Sequence, residues 1–541
     1  MFVWSPHLQA QTNSALFWEW VSRQPASGVH MVEVLSEDEV ITWVQDGEQA
    51  LKNRGYLQVQ IEYQKRGSSY EFRCLAGPKY QWTSLSRGNL PDSVINHLTG
   101  PGLGALSYGE AIQWQQQIVG YYADRGYPFA QAGFTAVTVT ADSLLSGQWA
   151  VDPGFVIRYA PMPDSTGIRL RAQKLAQLVE MKPGALYRES ALAAAPQRLQ
   201  AYPYLRMSDT PRVYFANQKA HVDIPLAPVK ANAFDGILGI FPRAEGGPPL
   251  WVGALQMTLW NPLGFGSHYN VKWERPQPTT QRLSLQAEWF YVAGLPLHVH
   301  TQFSLWKQDS AFLQQQVQVQ FLSPPGVGSF QWGGYAKYFS VAPLADNTPW
   351  LPGEAISATQ SVIGGLLRWN TPQAHDWQPR QNIQGQVGAG IRATESSQFF
   401  WEVEAEGAFF RPFSPLWGVY GKVEGGWKPG VSAGEAFRLG GFQRLRGFNE
   451  QELYAVGYGI GTAELRLRTG HDSFLALLVD QAWWQSPPLA TGQWATGLGI
   501  GTQWRLAPGI LRVYWATGQV ANQRPFSLET SKIHVGFVGQ F

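Results

Sequence analysis

From residue 231 to the end of the chain no stretch carries helical spacing, and one segment after another alternates apolar with polar side chains. Sixteen such segments follow each other, from Phe234–Phe241 and Trp251–Trp260 to Gly509–Ala516 and Ser531–Phe541. That is roughly 19 residues per strand and turn, the density of a bacterial outer-membrane β-barrel. Gln314-Gln-Gln-Val-Gln-Val-Gln320 shows the pattern plainly, with glutamines for an aqueous lumen set against apolar residues for lipid. Trp and Tyr near segment ends fit interfacial girdles. Only 15% of residues are charged, while Trp (24), Tyr (21) and Phe (28) are abundant. No apolar run approaches the ~18 residues of a membrane-spanning helix. A soluble β-sandwich would explain neither the aromatic load nor the even segments. The fold class expected is a transmembrane antiparallel β-barrel of about 16 strands, preceded by tandem small α/β modules.

Those modules come from the first part of the chain. Residues 1–30 carry little pattern; they lack a basic region with an apolar core, and His7-Leu-Gln-Ala-Gln fits the tail of an export signal that starts upstream. Beyond them the order strand, helix, helix, strand, strand recurs at roughly 70 residues, right for tandem modules. The expected boundaries are 31–77 for a partial first module without a clear opening strand, 78–153 for the second, 154–228 for the third and 229–541 for the barrel. Helices are expected from Glu37, over Tyr108–Arg125, over Arg171–Glu180 and over Arg188–Ala201.

The segments are interrupted once, by residues 428–457, too long a loop to be mere connection. It contains Phe437-Arg-Leu-Gly-Gly441 and Leu445-Arg-Gly-Phe448, and the strand after it reads Ala463-Glu-Leu-Arg466. Alternation in that strand sets Ile460, Ala463, Leu465 and Leu467 against Thr462, Glu464, Arg466 and Arg468. Together these stretches resemble the surface loop that folds back into the lumen of BamA/TamA-type POTRA–barrel proteins. That superfamily comprises outer-membrane assembly and translocation factors, with two-partner secretion transporters as relatives. Gly126-Tyr-Pro-Phe-Ala130 resembles the turn between second helix and second strand of a POTRA module; Gly55-Tyr56 is a partial copy. Gly497-Leu-Gly-Ile-Gly501 with Trp504, and Pro508-Gly-Ile-Leu-Arg-Val-Tyr-Trp-Ala516, resemble the late barrel strands. The likeness covers most of residues 40–541 and is most specific after Gly421.

The resemblance implies a lumenal clamp in which Arg446, beside Gly447 and Phe448, pairs with Glu464 and Asp480. A guanidinium drawn into a lumen needs such carboxylates. Ala482 departs from the glycine usual in the family's Val-Asp-x-Gly strand. It also implies a seam where the barrel closes. The first segment, with Phe234, Gly236 and Gly239, is short; its partner at closure carries Val535 and the terminal aromatic Phe541. A poorly paired seam invites a further strand, whereas Gly236 and Gly239 equally suit a crowded barrel corner.

The implied function is outer-membrane protein assembly, insertion or translocation, by client capture at the modules and lateral opening of the seam, with no enzyme activity and no cofactor. Partners would be unfolded outer-membrane or secreted clients, outer-membrane lipid, and periplasmic or lipoprotein accessory subunits. A net charge of +2 argues against nucleic acid. The location implied is the outer membrane, with the modules in the periplasm. Three modules look more TamA-like than BamA-like. The alternative is a two-partner secretion transporter exporting one exoprotein through the lumen, for which residues 10–22, with Leu16, Phe17, Trp18 and Trp20, would supply the plug helix.

Other motifs carry no chemistry. Gly430-Val-Ser-Ala-Gly434 fits a serine-hydrolase pattern but lies in a loop with no strand–turn–helix elbow. His298 and His300 share a strand face, with no third ligand in sequence reach, so no metal site is expected. Gly457-x-Gly-x-Gly461 and Gly497-x-Gly-x-Gly501 lie on strands rather than opening helices. Cys74, the only cysteine, reads as a small buried strand residue.

Overall fold

The computed structural model describes residues 28–33, 37–66, 69–99, 104–140, 143–163, 168–241, 250–277, 280–308, 312–324, 330–344, 357–371, 381–487, 491–506 and 509–539. The chain divides into two compact units: residues 1–160, 184–190 and 214–221 form one, and residues 161–183, 191–213 and 222–541 the other.

In the first unit, the helix Glu37–Asn53 lies on a three-stranded sheet and buries Val40, Trp43 and Leu51 against Tyr70, Phe72 and Cys74. That sheet contains a strand the sequence does not announce: Gly28–Glu33 pairs antiparallel with Ser69–Leu75. The second module is a four-stranded sheet, ordered Gly104–Ser107, Gln81–Ser86, Leu144–Asp152 and Gln131–Val139. Its core is aromatic, with Trp82, Trp114 and Trp149 around Ile118. The helix Tyr108–Ala123 starts at a reciprocal cap, in which the Ser107 hydroxyl accepts from the Glu110 amide and the Glu110 carboxylate accepts from the Ser107 amide. Gly55 and Gly126 end equivalent helices in the left-handed region, at φ +99° and +94°. The tyrosine after each donates its amide five residues back, Tyr56 to Leu51 at 3.1 Å and Tyr127 to Tyr122 at 3.0 Å. The partial sequence copy at Gly55-Tyr56 is thus a true structural repeat, because only glycine adopts that cap without strain.

The second unit is dominated by one antiparallel sheet of sixteen strands, each paired with its sequence neighbour from Ala233–Phe241 to Lys532–Gly539. All sixteen expected segments are present. Many of their outward residues are apolar and bare, among them Ile363 at 72% exposure, Phe399 at 78% and Ile533 at 70%. A soluble fold would bury these; a lipid-facing barrel wall does not. Among the described residues no helix is long and apolar enough to cross a membrane.

Also in this unit, the helices Ala172–Leu178 and Glu189–Leu199 (from Ala191) and the two-stranded ribbon Leu205–Met207 with Leu226–Pro228 pack on two turns at one rim of the barrel. Lys174 donates to the Phe290 carbonyl, and Lys182 to that of Gly294 at 3.0 Å. The Asn261 amide donates to the Arg169 carbonyl at 2.7 Å, and Tyr202 meets Phe290 edge-on at 5.0 Å. With an even number of strands, both chain ends of the barrel lie at this rim. The connection between the eleventh strand, Trp417–Trp427, and the twelfth, Gly457–Gly470, therefore leaves from the opposite rim.

Candidate functional site: a clamped lumenal loop and an unpaired seam

That connection folds back into the barrel. Its residues Phe437, Leu439, Leu445, Phe448 and Ala455 are buried against Tyr458, Ile460, Ala482, Trp484, Ala495 and Val520 of the wall. The lumen is accordingly apolar where the loop sits, which corrects one assignment. Ile460 does not share the outward face of Ala463 and Leu465 but points inward with Thr462, Glu464 and Arg466. Strict alternation from Thr462 requires this, and an isoleucine is accepted there because loop side chains cover it.

At the tip, Arg446 is 5% exposed, and all three of its guanidinium nitrogens donate. Its Nε and Nη2 donate to the two oxygens of Asp480, at 2.8 and 2.6 Å, and its Nη1 donates to Glu464. The Arg446 amide also donates to Asp480, at 2.9 Å, and the Thr462 hydroxyl adds another bond at 2.8 Å. Arg466 holds the other Glu464 oxygen at 2.7 Å, so two arginines share two carboxylates and the cluster is neutral. The Tyr514 ring lies 5.0 Å from the Arg446 guanidinium. Gly447 rests on the backbone of Thr517 and Gly518, and Phe448 is fully buried beneath Arg524, whose guanidinium is 4.4 Å from its ring. The structure thus brings Arg446, Gly447, Phe448, Glu464 and Asp480 together, through side chains on the twelfth and thirteenth strands and on a loop between the eleventh and twelfth.

The wall has been cut away to admit the tip. A β-carbon on Gly497 would lie 2.2 Å from the Arg446 carbonyl oxygen, a backbone atom with nowhere to go, whereas one on Gly459 or Gly461 would meet nothing within 4 Å. Gly497→Ala is expected to cost about 1–3 kcal/mol of barrel stability, as overpacking does, while Gly461→Ala is expected to be nearly neutral. Urea unfolding of the two variants in detergent, side by side, checks this.

Several lumenal partners were not visible in the sequence. Glu435, early in the loop, is gripped by Arg392 and Gln360, and the loop's Lys428 stands 4.0 Å from a buried Glu402 that also holds Lys337. Their spacing in the chain, 43 positions from Glu435 to Arg392 and 65 from Lys337 to Glu402, offers no local signal. Ser432, of the hydrolase-like pattern, donates its hydroxyl to Glu435 at 2.8 Å and so serves the loop. His298 and His300 do share a face, and Glu288 lies within 3.5–3.9 Å of both and of His268. Among the described residues no group of three or more such side chains has the geometry to hold a metal.

The seam is the second feature. The first and last strands, nine and eight residues long, approach within 8 Å between α-carbons, yet among the described residues no hydrogen-bonded register joins them. Gly236 pairs with Leu255 and Gly239 with Val252, both on the second strand, while Val535 pairs with Val513 on the fifteenth. Phe234 and Val535 are exposed, at 54% and 64%. Phe541 lies outside the described residues. The loop reaches this edge too: Phe442 packs 5.5 Å from Tyr514 and 6.5 Å from His534 of the last strand.

A sixteen-stranded barrel with a clamped loop in its lumen follows small α/β modules in this chain, and solved structures share that fold. Among solved structures, the chain is similar to CdiB from Escherichia coli, at TM-score 0.58 and 13% identity over 93% of this chain and 97% of that one. It is similar also to CdiB from Acinetobacter baumannii, at TM-score 0.57 and 11% identity over 94% and 100%. BamA from Haemophilus ducreyi lacking POTRA domains 1–3 aligns at TM-score 0.46 and 14% identity over 85% and 100%. No protein-family description and no curated protein matches the sequence.

Proposed function

We propose that this protein moves unfolded polypeptides into the outer membrane, taking up client strands at the seam between its first and last barrel strands. The observation that carries the reading is that seam: two short neighbouring strands with no joining ladder among the described residues. In lipid, each unpaired backbone group costs several kcal/mol, so an open edge is a strong template for an incoming strand. A client hairpin that pairs there satisfies its own backbone and the edge together, and its burial in lipid supplies the driving force. The modules would stand in the periplasm and hold clients before transfer, and no cofactor is required.

A second reading is export of a dedicated partner through the lumen. It is favoured by the two CdiB likenesses, which run the length of both chains. Residues 10–22, the candidate plug for that reading, lie outside the described residues.

The test is reconstitution. The full chain in proteoliposomes is expected to speed conversion of a urea-unfolded eight-stranded barrel into its protease-resistant form by about tenfold or more, equivalent to about 1.4 kcal/mol off the barrier. Equal rates with and without the protein would remove the insertion reading and leave export through the lumen.

A further inference from the structure

The limb of the loop that precedes its clamped tip has an anchor of its own. Glu435 is 2% exposed, and its carboxylate accepts five hydrogen bonds. Arg392 approaches it side-on with Nε at 2.8 Å and Nη2 at 2.7 Å, and the Gln360 amide donates at 2.7 Å. The Ser432 amide and hydroxyl supply the others, at 2.9 and 2.8 Å. Val431 packs with Tyr335, Leu366 and Phe400, and Ala433 with Phe312, Phe339 and Val341. This limb therefore lies on the wall around the seventh strand, Phe330–Pro343, while the tip lies on the fifteenth, Gly509–Val520. The charged partners lie closer, Arg392 on the ninth strand and Glu464 and Asp480 on the twelfth and thirteenth, so the loop is held at two separate places on the wall.

The two ends are held differently. At the tip, backbone meets backbone: the Arg446 carbonyl at Gly497, and Gly447 at Thr517–Gly518. At the limb the wall is met through side chains, as the atoms nearest a β-carbon on Gly434 belong to the Val341 side chain. If the limb lifts away, Arg392 and Glu435 both regain water from the lumen. Separation then lacks the penalty of an unpaired buried charge that fixes a closed clamp. We propose that Glu435 and Arg392 are a releasable positioning pair: the limb Lys428–Glu435 leaves the wall when polypeptide moves through or along the barrel, while the tip stays clamped. This goes beyond the seam reading, since it concerns how the lumen opens rather than where clients enter lipid.

A disulfide tests it. A β-carbon on Gly434 would lie 4.0 Å from that of Val341, inside disulfide range. Gly434→Cys with Val341→Cys, in a Cys74→Ser background, would fix the limb without touching Glu435 or the tip. Oxidised, this protein is expected to lose about tenfold or more of the insertion rate for the urea-unfolded eight-stranded barrel, and to recover it on reduction. In parallel, Glu435→Gln and Arg392→Gln, in planar bilayers in KCl, are expected to raise open probability by about tenfold, the effect of losing charge-assisted hydrogen bonds. That second arm is read whether or not the unfolded barrel is a substrate. An oxidised limb that works at the unlocked rate, or channels of Glu435→Gln and Arg392→Gln that open no more than wild type, would overturn the inference. A limb lock that blocks insertion while a seam lock does not would uphold it and defeat the seam reading; the converse would do the opposite.

Discussion

Replacing Arg446 with alanine is expected to lower the unfolding free energy of the barrel by about 3–5 kcal/mol, the range for removing one partner of a buried ion pair. The effect should be at the upper end of what a point change does, because Arg446 satisfies two carboxylates at once. Asp480 would lose both side-chain donors at 2.8 and 2.6 Å and keep the Thr462 hydroxyl and one amide. Glu464 would keep Arg466. The asymmetry gives a second expectation: Arg446→Ala should be rescued better by Asp480→Asn than by Glu464→Gln, since Asp480 is left the more poorly compensated charge. Lysine at 446 should recover only part of the loss, because an ammonium cannot span both Asp480 oxygens with a planar fork. Equilibrium unfolding in detergent, with the double variants, reads these couplings directly. A cost below about 1 kcal/mol for Arg446→Ala would mean the clamp is solvated like a surface pair.

The barrel was legible because each strand repeats one physical rule. A side chain facing lipid must be apolar and its neighbour faces water, so Phe312–Leu322 reads at sight. The tip of the loop was legible for another reason, its likeness to a known loop, and the alternation of Glu464 and Asp480 then placed both inward. What escaped were contacts between distant residues. Glu435 finds Arg392 and Gln360 across 43 and 75 positions, and nothing in the local sequence marks that acid apart from any other loop glutamate. Ile460 was assigned outward on hydrophobicity, whereas its place in the alternation and the loop that covers it put it inside. The opening strand Gly28–Glu33 and the short strand Gly104–Ser107 carry too few residues to show a period. They are strands because a neighbour offers an unpaired edge, not because of their own composition.

The loop and the seam bear on each other through Phe442, which rests beside His534 of the last strand. Displacing the loop would therefore disturb the edge at which a client is taken up, and this links the clamp to the proposed activity. The seam is where that activity can be tested. With no ladder joining the first and last strands among the described residues, separating them would break few backbone hydrogen bonds. The most direct measurement is a disulfide across this seam, pairing Gly236→Cys with Val535→Cys, scanning neighbouring registers, with Cys74 replaced. Insertion of the unfolded eight-stranded barrel is then followed before and after reduction. The account predicts that the oxidised protein inserts no faster than protein-free liposomes and that reduction restores the rate. A locked seam that inserts at the unlocked rate would contradict it and place the client's path in the lumen.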